Sequence, residues 1–199
     1  MMAIVLLSGK QGSGKTTLSS RLFARFYVKR PEIKVIEIKF AEAIYAMHDK
    51  CLELMRTYGV ETPEIDGRLL QLLGTEWGRK HYGEDVWVNV LRNKIESLVR
   101  YNPEGQWLFV VSDCRFKNEF DAFPEALRVR LVASEEVRKE RAEKWRETVN
   151  HPSEIDLDEY SAAGKFDLYL DTERTPIEGC LSLVLAQLEK GSWVERRGR

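Results

Sequence analysis

Cysteine is scarce in this sequence, and the three present, Cys51, Cys114 and Cys180, are scattered through 199 residues. An odd count at such wide spacing suits neither a disulfide framework nor a zinc site, so a reducing cytoplasm is the simplest expectation. Long hydrophobic runs are missing too. The longest, Ala3 to Leu7 and Trp107 to Val111, fall far short of the roughly 18 residues that a membrane span needs. The start of the chain lacks a basic segment followed by a cleavable apolar one, and the expectation is a soluble protein that is not exported. Nor is there an excess of either charge: 31 Lys+Arg stand against 32 Asp+Glu. Without a sustained cationic field a general nucleic-acid binder is excluded, and 43% hydrophobic residues argues against disorder. No repeat, low-complexity tract or Pro/Gly/Ser linker divides the chain, which reads as one domain over residues 1–199.

What is present is an alternation of short β-rich apolar runs with longer helical stretches, the α/β pattern. Strands are expected at about residues 3–8, 33–38, 107–113, 128–133 and 167–171. Most are too apolar to have a wet face, as in a parallel sheet covered on both sides. Two helical insertions break the rhythm, at residues 40–101 and 135–165. Insertions of that size in a compact domain usually serve a substrate. The tail from Lys190, with Arg196, Arg197 and Arg199, reads as a frayed end.

Residues 9–16, GKQGSGKT, match G-x-x-x-x-G-K-S/T between an expected strand and an expected helix. Gly9, Gly12 and Gly14 allow positive φ and a close approach to polyphosphate, with loop amides and the helix N-terminus aimed at the anion. Ser13 completes the turn, Lys15 reaches β and γ oxygens, and the hydroxyl of Thr16, beside Thr17, suits Mg²⁺. Such a loop binds a nucleotide but does not separate kinases from switches and motors. Asp113, at the C-terminal end of a buried strand, is a second candidate for the Mg²⁺ shell. Arg115 follows two residues later; an ion pair with Glu119 or another acid explains it as well as catalysis does.

Between residues 66 and 88 a regular helix would align Arg68, Gln71, Thr75 and Arg79 on one side and Leu69, Leu70, Leu73 and Trp77 on a buried side. Gly74 and Gly78 each cost such a helix about 1 kcal/mol, so a close approach there is expected to compensate. The polar stripe is either a clamp for something planar and anionic or a solvated face. The helix expected at residues 135–147 places Arg138, Arg141 and Trp145 together, suited to a hinged lid over a triphosphate, or simply to solvent. Pro152 breaks that helix, Ser153 is positioned to cap another with Asp156 at its third position, and His151 reads as a loop residue.

Five stretches taken together, GKQGSGKTT (9–17), FAEAIY (40–45), LLQLLGTEWGRKHYGEDVWV (69–88), VSDCRFKNE (111–119) and HPSE (151–154), resemble the deoxynucleoside monophosphate kinases of tailed bacteriophages. Animal-type phosphomevalonate kinases share the pattern in weaker form. The resemblance implies a P-loop NTPase fold: a five-stranded parallel sheet flanked by helices, the Asp113 strand beside the strand feeding the phosphate loop, with a helical substrate-binding insertion and a lid. It implies ATP and Mg²⁺ as cofactors and a deoxynucleoside 5′-monophosphate as the small-molecule partner, in a host cytoplasm, with a homodimer left open. Lys15 and Thr16 carry over as phosphate and magnesium ligands, Arg79 and Arg115 as acceptor-phosphate or transition-state contacts, and Arg138 and Arg141 as lid arginines. Phe40, Ala41, Arg68, Gln71, Thr75 and Trp87 join the expected substrate compartment. His151 and Glu154 match as well, for lid docking or sugar contact. The sequence departs from the family at residues 170–172, Leu-Asp-Thr, where an Asn is expected near the adenine. Against this stand a kinase of another phosphorylated metabolite and a nucleotide-dependent switch.

Overall fold

The computed structural model describes residues 2–142, 145 and 152–190. Among these, five strands form one parallel sheet: β1 (Met2–Ser8), β2 (Ile33–Ile38), β3 (Gln106–Val111), β4 (Leu127–Val132) and β5 (Leu168–Asp171), in the order β2-β3-β1-β4-β5. Val5–Leu7 of β1 and Trp107–Val111 of β3 are apolar without interruption because both of their faces are dry. In β3, Leu108 and Val110 pack into one core while Trp107, Phe109 and Val111 pack into the other; in β1, Val5 and Leu7 are separated from Leu6 in the same way. The edge strand β2 leaves Lys34 and Glu37 exposed.

The first core is closed by α1 (Lys15–Lys29) through Leu18, Leu22 and Phe26, and by α10 (Ile177–Lys190) through Cys180, Leu181, Val184 and Leu188. Their spacing of three or four residues is that of one helical face. The second core is closed by α5 (Val86–Tyr101) through Val88, Leu91 and Ile95, and by α6 (Lys117–Asp121) through Phe120. Pairing of Leu6 with Val111 sets the ends of β1 and β3 side by side. The phosphate loop and Asp113 therefore leave the same carboxyl edge of the sheet, where open α/β sheets bind ligands.

The first insertion holds α2 (Glu42–Thr57), α3 (Gly67–Gln71), a π-helical stretch Leu72–Arg79, α4 (Lys80–Tyr82) and α5. The regular helix expected there is thus interrupted, and its faces are not those a 3.6-residue period gives. Trp77 is 42% exposed rather than buried, Leu69, Leu70 and Leu73 are half-buried, and the buried positions are Gly74 and Gly78. The cause is Trp87 of α5. A Cβ on Gly78 would lie 2.3 Å from its ring, and its indole N–H donates to the Gly74 carbonyl at 2.8 Å. The expected close approach is therefore made by a side chain, and Trp87, 4% exposed, packs within the insertion. Phe40 is likewise core, against Phe123. A fully buried His48 ties the insertion together: its Nε2 accepts the Asp66 amide at 2.9 Å and its Nδ1 meets Asp49 at 2.8 Å. Asp66 in turn caps α3 through the amides of Arg68 and Leu69.

The second insertion holds α7 (Glu135–Arg141), α8 (Pro152–Ile155) and α9 (Asp158–Ala162). Helix α7 ends at Arg141, short of the expected Glu147. Ser153 lies inside α8 instead of capping it, and the Asp156 carboxylate receives the backbone N–H of Lys117 at 2.7 Å. His151 and the arginines of the tail lie outside the described residues.

Candidate functional site

The phosphate loop turns where its glycines permit: φ is +152° at Gly9, +77° at Gly12 and +95° at Gly14. At Gly9 and Gly12 the need is also for space. A Cβ on Gly9 would lie 2.5 Å from the Leu131 carbonyl oxygen, and one on Gly12 would lie 2.4 Å from that of Arg138. Gly14 caps α1 without a side-chain hydrogen bond, so no side chain at the cap takes up the first-turn amides of this helix. Beside them Ser13 Oγ is buried without a partner. Thr16 and Thr17 are exposed on the first turn.

Lys15 Nζ donates to the carbonyls of Gly9 at 2.6 Å and Lys10 at 3.0 Å. Burial, and then the positive charge of Arg115, push its pKa down to about 7, while Glu154 and Asp113 pull it upward. Asp113 accepts the backbone N–H groups of Phe40 at 2.9 Å and Ala41 at 3.0 Å. What these two residues bring to Asp113 is their backbone N–H groups. Desolvation raises the Asp113 pKa, with those two hydrogen bonds opposing it. The two amides occupy only part of a carboxylate's acceptor capacity.

Around the neighbouring Glu119 the two arginines singled out by sequence come together. Glu119 Oε1 accepts Arg79 Nη2 at 2.9 Å, and Oε2 accepts the backbone N–H groups of Arg115 at 2.8 Å and Phe116 at 3.1 Å. Arg79 also donates to the Glu84 carbonyl at 3.1 Å and lies 4.2 Å over the Phe116 ring. The pair is enclosed, with side chains 11% and 3% exposed. Burial raises the Glu119 pKa to about 7, against the Arg115 amide and the Arg79 charge. The Arg115 guanidinium instead pairs with Glu154, whose other oxygen accepts the Gln11 amide of the phosphate loop at 3.1 Å. Arg79, Arg115, Glu119, Glu154 and the loop thus form one connected network.

Helix α7 lies on the loop. Arg138 donates to the Gln11 carbonyl at 3.2 Å and stands 5.4 Å over the Trp145 ring. Arg141 donates to both oxygens of Thr172, at 3.0 and 2.8 Å, and the Thr172 hydroxyl donates to the Ser13 carbonyl at 3.1 Å. The departure at residues 170–172 therefore meets the loop and α7 directly. Arg68, Gln71 and Thr75 are exposed, and among the described residues no hydrogen bond joins their side chains to this network.

No family model and no curated protein matches this sequence. Solved structures do match. TT1252 from Thermus thermophilus has a TM-score of 0.57 at 21% identity, covering 94% of this chain and 97% of its own. Shikimate kinase from Acinetobacter baumannii, solved in complex with shikimate, has a TM-score of 0.52 at 12% identity, covering 97% of this chain and 96% of its own. The chain has the α/β P-loop fold of shikimate kinase. At such identities the likeness is one of architecture: five parallel strands flanked by helices, with the loop at the carboxyl edge.

Within that architecture lie site residues that sequence reasoning passed over. Glu119 was visible only as an ion partner for Arg115, not as the anchor of Arg79. Arg130 of β4 is buried, donating to Ser8 Oγ at 2.9 Å and to Asp158 at 2.5 Å, and Lys10 meets the other oxygen of Asp158 at 2.9 Å. A cavity of about 450 Å³ opens beside them, bounded also by Arg138 and Ser161. The available signal was charge within β4, where Arg128 and Arg130 alternate with apolar residues. Four cationic side chains, Lys15, Arg115, Arg130 and Arg138, thus gather at the phosphate loop.

Proposed function

We propose that this protein is a phosphotransferase of the P-loop kinase type that carries the γ-phosphoryl group of ATP to a deoxynucleoside 5′-monophosphate. The observation that carries the proposal is the gathering of the Arg79 guanidinium and the Arg115 backbone on the buried Glu119, with the Arg115 guanidinium joined to the phosphate loop through Glu154. Rigid guanidinium groups held by a carboxylate suit a phosphate that must be positioned.

The loop fits a nucleotide: the partnerless Ser13 hydroxyl, the uncapped first turn of α1 and the oxygen donors of Thr16 and Asp113 match what polyphosphate and a hard cation take. Residues 9–17 would hold ATP, which supplies the transferable phosphoryl group, and Thr16 with Asp113 would hold Mg²⁺, which screens its charge. Lys15 exchanges the carbonyls of Gly9 and Lys10 for phosphate oxygens and balances their charge. Arg79 and Arg115 clamp the acceptor phosphate. A phosphate monoester has a second pKa near 6 and is already an oxyanion at neutral pH, so no general base is needed. Helix α7 acts as a lid that excludes water, which would otherwise consume the phosphoryl group.

Within a single kinase domain, the insertion at residues 40–101 forms the acceptor compartment, a volume of chain that a switch does not require. The resemblance to the phage kinases narrows the acceptor from monophosphates in general to deoxynucleotides. The test is ATP consumption by purified protein with Mg²⁺ against each dNMP, each NMP, phosphomevalonate and shikimate. Turnover dependent on one or more dNMPs supports the proposal. Turnover with shikimate alone, or none dependent on an acceptor, removes it.

A further inference from the structure

Glu154 has no part in the reaction as just described, yet it sits on the groups that the reaction uses. Its side chain is 7% exposed. One oxygen accepts the Gln11 amide of the phosphate loop, 143 positions away in the chain, and the other accepts the Arg115 guanidinium. The segment carrying it is fastened again just beyond that contact. Asp156 takes the Lys117 amide at 2.7 Å, and Asp158 takes Arg130 at 2.5 Å and Lys10 at 2.9 Å. The Glu154 carboxylate is therefore placed by its surroundings, and the placement spans the mouth of the loop.

A loop amide and a guanidinium are also what two oxygens of a phosphate ask for. Glu154 satisfies both with one carboxylate, and its negative charge acts on Lys15 as well. We propose that Glu154 is a positioning residue that serves the cradle as an internal stand-in for a phosphate: it holds Arg115 at the mouth of the loop and yields the Gln11 amide and the guanidinium to an incoming phosphate oxygen. This rests on the kinase function proposed above and adds a competition to it. Every anion that enters must displace a carboxylate or sit beside it, so Glu154 weakens anion binding while keeping Arg115 where it is needed.

The direction of the effect separates this role from a structural one. Glutamine keeps the length of the side chain and one acceptor oxygen but removes the charge. If Glu154 merely braced the loop, its replacement would loosen Gln11 and Arg115 and weaken anion binding. If it stands in for a phosphate, its replacement strengthens that binding.

The experiment is calorimetric titration of the full chain with inorganic tripolyphosphate, without metal and at low salt, for the unaltered protein and for Glu154→Gln, Glu154→Asp and Glu154→Ala. Glu154→Gln is expected to bind about tenfold more tightly, a difference of about 1.4 kcal/mol, with Glu154→Asp close to the unaltered protein. The gain shrinks in high salt, where charge is screened. Equal or weaker binding by Glu154→Gln overturns the proposal; should that variant not fold, Glu154→Ala decides in the same sense. If the unaltered protein transfers phosphate to an acceptor and the variants bind no more tightly, the stand-in role alone fails. If the unaltered protein binds no tripolyphosphate and transfers nothing, the proposed function fails with it.

Discussion

Glu119→Gln should gain stability relative to the unaltered protein as the pH rises, and lose activity in the same step. Burial raises the Glu119 pKa to about 7 from an ordinary 4.5. The native state therefore keeps a proton that the unfolded chain releases, and the Glu119 contribution to stability falls as the pH rises from about 4.5 through about 7, then levels off. Between pH 5 and pH 8 the loss is about 2 to 3 kcal/mol by this linkage. Glutamine resembles the protonated acid and does not titrate, so its variant is spared. For a chain of this size each kcal/mol is roughly 2–4 °C in Tm, and the Tm difference between the two proteins should shift by roughly 5–10 °C across that range. Calorimetric Tm values at pH 5 and pH 8 measure it. An amide cannot offer two anionic oxygens to Arg79 and to the amides of Arg115 and Phe116, so kcat/KM for the acceptor should fall by roughly tenfold or more. A Tm difference that is the same at both pH values, or unchanged acceptor kinetics, would refute the reasoning. The carboxylate would then be neither costly nor positioning.

Lys15→Ala should fold normally, because alanine suits the start of α1, while kcat drops by roughly 10²–10³-fold, as for loss of a preorganised charge on the reacting group; steady-state assay beside a thermal melt checks both. Gly78→Ala should lower Tm by several degrees, since its Cβ would lie 2.3 Å from the Trp87 ring and 2.7 Å from the Leu73 carbonyl oxygen and overpacking costs about 1–3 kcal/mol. Gly67→Ala, with nothing within 4 Å, serves as the control and should leave Tm unchanged or slightly raised. Arg79→Lys should chiefly raise acceptor KM by loss of the planar fork. Arg141→Ala, which frees α7 from Thr172, should lower kcat with both substrates saturating; equal effects of the two changes on acceptor KM alone would remove the distinction between clamp and lid.

Much of the core was legible because its causes are local. Strands buried on both faces show as apolar runs, and β1 to β5 fall within one or two residues of the expected positions. The phosphate loop is a contiguous motif whose glycines adopt the positive φ values that the pattern implies. The π-helical stretch was not legible, because its register answers to Trp87, which arrives from another helix. The same holds for Phe40, whose ring is drawn into the core while its backbone serves Asp113. Arg115 was foreseen with an acid, and Glu119 does hold its backbone; the guanidinium went to Glu154, 39 residues on, a pairing that only the folded chain creates. Arg130 and Asp158, 28 residues apart, escaped notice for the same reason.

The central claim is that the acceptor brings its own phosphate to Arg79 and Arg115, and the most direct measurement compares acceptors that differ in nothing else. ATP consumption with Mg²⁺ should be followed with a saturating dNMP and with the corresponding deoxynucleoside at equal concentration. The expected result is rapid formation of the dNDP and no turnover above background with the nucleoside. Robust phosphorylation of the nucleoside, or of another unphosphorylated alcohol, with the dNMP inert would contradict the account.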